Sequence, residues 1–83
     1  MIFWGHLEGV ERDAARYRYT EEREDGAPDP DAGILVVPTD DWTACRVEGR
    51  DDMPTGAVRV ARKVARERAE TGEWPARAAW FSC

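Results

Sequence analysis

Eighty-three residues suffice for one small domain burying only about 60% of its unfolded surface, and Ile, Leu, Val and Phe supply just 13 of them, a thin aliphatic core. Seventeen acids against twelve bases give a net charge of −5, which argues against nonspecific nucleic-acid binding by the whole molecule, and no window nears the ~20 apolar residues of a membrane span. Two cysteines, Cys45 and Cys83, are too few for a disulfide scaffold, and the start of the chain lacks a charged-then-apolar leader, so a soluble cytoplasmic protein with reduced thiols is expected.

Four tryptophans and two tyrosines offset the shortage of aliphatics, because each buried aromatic removes roughly 150–250 Å² from water. An ordered domain with an aromatic-rich core follows, with part of its surface available to a partner or to a second copy.

Met1 to Leu7 is short, aromatic and β-prone; as a strand it sends Ile2, Trp4 and His6 to one side and Phe3 and Leu7 to the other. Glu11 to Ala15 is polar and is expected either to turn the chain or to form one helical turn. Arg16 to Glu22 alternates, with Tyr17 and Tyr19 on one face and Arg16, Arg18 and Thr20 on the other. Leu7, Val10, Ala14 and Tyr17 also fit one helix over 7–22, but the Tyr/Thr run is β-enriched and favours the strand.

Residues 23–33, with two prolines, two glycines and three aspartates, read as a flexible acidic loop. Ile34 to Val37 is the only continuous aliphatic run and is expected to be the central strand, ended by Pro38. Trp42 to Glu48 alternates and is read as a further strand, with Cys45 in phase with Val47.

Residues 55–71 form the clearest element. On a helix, Ala57, Val60, Ala61, Val64, Ala65 and Arg68 share one side, while Arg59, Arg62, Lys63 and Arg66 line the opposite one. Pro54 suits the helix start, Gly72 the residue just past its end, and Pro75 the stop beyond it. Glu70 stands four residues after Arg66 and is placed to pair with it. Ala76 to Phe81 closes the chain as a short strand or docked tail, and Trp42, Trp74 and Trp80 are expected at the rims of the helix–sheet contact.

The chemistry inventory is sparse. The single serine, Ser82, offers no rigid nucleophile elbow, and His6 is the single histidine. A Cys45–His6 dyad depends on the two meeting in space; a small buried hydrophobe is the plainer role for Cys45. Two cysteines and one histidine, widely separated, make no zinc motif. The stretch Asp29-Pro30-Asp31-Ala32-Gly33 lacks the ligand spacing of a calcium loop. No phosphate-cradling glycine motif occurs. No catalytic residue, metal or cofactor is assigned.

Charge is segregated. Residues 1–55 carry fourteen acids and six bases, giving −8, whereas residues 56–83 carry three acids and six bases, giving +3. The expected fold class is α+β: a small antiparallel β-meander of three to four strands with one amphipathic helix packed on one face, forming a single domain over 1–83. The expected function is a non-enzymatic protein-interaction or regulatory module whose partner is another protein or a second copy. The alternative is a nucleic-acid-associated protein using the basic face of helix 55–71, with Arg59, Arg62, Lys63 and Arg66 as candidate contacts; an acidic mimic of DNA is a weaker variant. Phe3, Trp4, Tyr17 and Tyr19 are candidates either for a base-stacking platform or, more simply, for the core.

Overall fold

A computed structural model describes residues 2–22, 26 and 29–81. The chain forms strands β1 (Ile2–Val10), β2 (Ala14–Glu22), β3 (Gly33–Pro38) and β4 (Arg46–Val47), then helix α1 (Thr55–Thr71) and strand β5 (Arg77–Phe81). The strands make one antiparallel sheet in the order β4-β3-β2-β1-β5, with α1 packed against one face. The α+β class holds, with five strands rather than three or four.

Residues 7–22 are strand, turn and strand. Glu11 donates its N–H to the carbonyl of Ala14 at 2.7 Å, and the chain reverses within three residues. A bulge at Glu8 shifts the β1–β2 register between Leu7 and Gly9, so that Phe3, Gly5 and Leu7 face the helix but Gly9 does not. The middle of the sheet is β2, not the aliphatic run of β3. Trp42 to Glu48 is mostly not a strand: Asp41 accepts a hydrogen bond from the Thr43 N–H at 3.0 Å and caps a one-turn 3-10 helix over Trp42–Ala44, leaving two residues to pair with β3.

The core lies between sheet and helix. Ala15, Tyr17, Tyr19, Leu35, Val37 and Val47 meet Ala57, Val60, Ala61 and Val64, with Cys45 and Ala78 completing the cluster. Phe3, Trp42, Trp74 and Trp80 pack partly buried around its rim. Two glycines set how closely the helix sits. A Cβ on Gly5 would lie 2.8 Å from Val60 Cγ1, and one on Gly56 would lie 2.5 Å from the Tyr19 hydroxyl and inside the Phe3 ring. The small residues allow the backbones to approach where the tyrosines need the remaining depth. Gly72 ends the helix in the left-handed conformation (φ 81°), donating its N–H to Arg68 at 2.7 Å.

Residues 23–25 and 27–28 of the acidic loop lie outside the described residues, as does Cys83, on which a bridge to Cys45 would depend. The far end of the loop is tied down. Asp29 accepts hydrogen bonds from the N–H groups of Glu21 (2.8 Å) and Asp31 (2.9 Å), and Arg50 reaches Asp31 and Asp52, both at 2.7 Å. The exposed Asp52 carboxyl is held below its usual range by its hydrogen bonds from Arg50.

Candidate functional site

The inward Ala/Val stripe of α1 leaves Arg59, Arg62 and Arg66 exposed and Lys63 half-buried. These four do not act as one surface. The Arg59 guanidinium lies 5.2 Å from the centre of the Trp80 ring, and Lys63 Nζ donates to the carbonyl of Ala79 at 2.6 Å, so both lean onto β5. Arg62 and Arg66 point away from the sheet and make no ion pair among the described residues; the expected Arg66–Glu70 pair is absent.

Arg68, assigned by spacing to the apolar stripe, is half-buried. Its guanidinium stacks 4.6 Å from the centre of Trp74, while its Nε is buried without a partner. Trp74 in turn meets Tyr17 edge-on, and the Tyr17 hydroxyl donates to the carbonyl of Pro75 at 2.8 Å. The Arg68–Trp74–Tyr17 stack therefore pins the chain leaving the helix.

The tyrosines serve the core. Both have their phenol pKa pushed well up, chiefly by burial, with Glu67 adding for Tyr17 and Asp29 for Tyr19. Phe3 stacks on Tyr19 with ring centres 6.5 Å apart. Of the four aromatics weighed as a stacking platform, only Trp4 lies on the other face. Cys45 sits in the core beside β4, its thiol pKa raised mainly by burial, whereas His6 stacks on Trp4 across the sheet, with ring centres 5.8 Å apart. Three strand spacings, ~14 Å, also separate them, so a Cys45–His6 dyad does not form.

The face of the sheet away from α1 is where sequence reasoning stopped short. Register puts Phe81, Ile2 and Glu22 in one row, Ala79, Trp4 and Thr20 in the next, then Arg77, His6, Arg18 and Ile34, then Gly9, Arg16, Val36 and Arg46. Phe81 is 66% exposed, and Ile2, Trp4, His6 and Ile34 are half-exposed. Val36 is buried between the flanking Arg16 and Arg46. Several polar groups are already engaged: Trp4 Nε1 donates to Glu22 at 3.0 Å, Arg18 pairs with Glu8 at 3.3 Å, and Arg16 pairs with both Glu11 and Glu48. A shallow depression lined by Glu8, Gly9, Val10, Glu11, Arg16 and Ile34 lies at the bulge. The alternation in 2–7 and 16–20 carried this signal, since both strands place residues able to meet a partner opposite their core residues.

Among the described residues, no three His, Cys, Asp or Glu side chains gather as metal ligands, and no helix is long and apolar enough to cross a membrane. Comparison with protein-family models, with curated proteins and with solved structures finds no match to this chain.

Proposed function

We propose that this chain is a non-enzymatic interaction module that works by pairing with a second copy through the uncovered face of its sheet. The observation that carries the reading is the row structure of that face, where Phe81, Ile2, Trp4, His6 and Ile34 stand among charges that are mostly paired, with no element over them among the described residues. Charge favours a copy as the occupant. Four carboxylates (Glu8, Glu11, Glu22, Glu48) and four guanidinium groups (Arg16, Arg18, Arg46, Arg77) lie on or border the face, so it is near neutral on a chain of net charge −5. Two copies meeting through their acidic parts repel; meeting through this face they do not. Size is compatible: at ~4.8 Å between strands and ~3.3 Å per residue the face projects on the order of 500 Å², and side-chain relief brings it toward the ~800 Å² per partner of a standard interface.

Sedimentation equilibrium over a wide concentration range tests this. The wild type moves from monomer to dimer mass, while Trp4→Lys, which replaces an apolar ring of the face with a cation, stays monomeric and folded. A wild type that is monomeric throughout, or a dimer indifferent to Trp4→Lys and Ile34→Asp, rejects the reading.

The alternative of nucleic-acid contact along the helix draws its support from Arg62 and Arg66, which are exposed and unpaired among the described residues. Two phosphate contacts would give a salt-dependence slope of about −2 on duplex DNA, and charge reversal at both arginines would abolish it. A wild type showing no mobility shift at low salt eliminates this alternative.

A further inference from the structure

We propose that the outer edge of β5 is a docking site for an extended acidic peptide strand, with Lys63 as its gate. The phase of the β1–β5 ladder decides which groups are on offer. Leu7 donates its N–H to Ala76 at 2.8 Å, which makes Leu7–Ala76 a hydrogen-bonded pair. Counting along the register, Gly5–Ala78 and Phe3–Trp80 are hydrogen-bonded pairs too, whereas His6–Arg77, Trp4–Ala79 and Ile2–Phe81 are not. The backbone N–H and C=O groups of Arg77, Ala79 and Phe81 therefore point away from β1. β5 ends the sheet, so these groups form an edge able to accept another strand.

Lys63 sits on that edge. Its ammonium, held 2.6 Å from the Ala79 oxygen, occupies the middle acceptor of the row. A lysine at this place blocks casual edge-to-edge pairing. It also selects among strands. An incoming strand must displace the ammonium to reach the carbonyl, and one bearing a carboxylate gives that ammonium a new partner. The surroundings point the same way: Arg59 on the helix side and Arg77 on the opposite face flank the edge, β5 contains no acid, and residues 56–83 carry +3 against −8 for the rest of the chain. The fitting occupant is thus an acidic strand, bound by main-chain hydrogen bonds and chosen by charge. The site uses the backbone of Arg77, Ala79 and Phe81, whose side chains border the uncovered sheet face, and it does not require pairing of two copies.

Titration of isotope-labelled protein with a short peptide alternating glutamate and valine tests the assignment, in the Ile34→Asp background so that pairing through the face does not intrude. The amides of Arg77, Ala79 and Phe81 shift and gain protection from hydrogen exchange; the lysine–valine peptide has no effect, and N-methylation of alternate peptide nitrogens abolishes binding. Lys63→Ala lowers the preference for the glutamate peptide over its threonine counterpart by about two- to fivefold, the value of one exposed ion pair. Lys63→Gln, which keeps a donor without the charge, does the same and guards against misfolding of the alanine variant. Shifts confined to Arg62 and Arg66, binding that survives N-methylation, or an unchanged acid preference in both Lys63 variants would overturn the proposal.

Discussion

The two faces of this sheet are built from the same strands and the same alternation, yet they have opposite characters. Toward the helix, β2 presents Ala15, Tyr17 and Tyr19, all essentially sealed from solvent; away from it, the same strand presents Arg16, Arg18 and Thr20. The covered face gains from depth: two tyrosines fill it, and glycines at 5 and 56 let the helix settle against them. The other face gains from breadth, with Phe81, Ile2, Trp4, His6 and Ile34 spread over β5, β1 and β3 and no filler between them. A domain with so few aliphatic residues seals most of them with its tyrosines under the helix and leaves Ile2 and Ile34 among aromatic and arginine side chains on the other face.

The sharpest way to break this contrast is truncation. Tyr17→Ala removes a fully buried ring and its hydroxyl bond to Pro75, and is expected to cost ~3–5 kcal/mol in urea unfolding. Trp4→Ala on the opposite face is expected to cost the isolated chain under ~1 kcal/mol. Equal losses would show that the uncovered face is structural too.

Alkali probes the covered face alone. The folded phenols of Tyr17 and Tyr19 hold their protons to higher pH than the unfolded chain, whose tyrosines titrate near 10. Their contribution is fully present below that pH. It is lost as pH rises toward the folded values, at up to ~1.4 kcal/mol per pH unit for each tyrosine. Tyr17→Phe is expected to flatten about half of this slope, and a stability flat to pH 11 on the order of the tyrosine range would mean that the rings are not sealed.

Space at the glycines sharpens the comparison at smaller scale. Gly56→Ala pushes a methyl into Phe3 and the Tyr19 hydroxyl and is expected to cost ~1–3 kcal/mol despite the better helix former. Gly9→Ala, on the uncovered side of the bulge with nothing within 4 Å of the new carbon, is expected to be neutral or stabilising by up to ~1 kcal/mol. Thermal melts of the two variants check the pair.

Much of this was readable beforehand where period and punctuation agreed. The helix over 55–71, its Gly72 end and the inward tyrosines of β2 follow from spacing alone. The central strand was misplaced because the run Ile34–Val37 is continuously apolar, whereas β2 looks half polar: its position in the middle shows only once its arginines are seen to occupy an open face. The 3-10 turn at Trp42–Ala44 was hidden by apparent alternation, although Asp41 two residues before Thr43 carried the capping signal. The candidate ridge Arg59, Arg62, Lys63, Arg66 was correct as a helix side and incomplete as a site. Spacing gives the side of a helix but not what its long side chains can reach, and here β5 comes close enough for Arg59 and Lys63 to lean on Trp80 and Ala79.

Isotope-filtered NOE spectroscopy on a mixture of labelled and unlabelled chains tests the pairing of sheet faces most directly. The account predicts intermolecular contacts from the side chains of Trp4, Ile34 and Phe81, and none from Val60 or Val64. Intermolecular contacts that arise from the helix, or none at concentrations where the mass is that of a dimer, would contradict it.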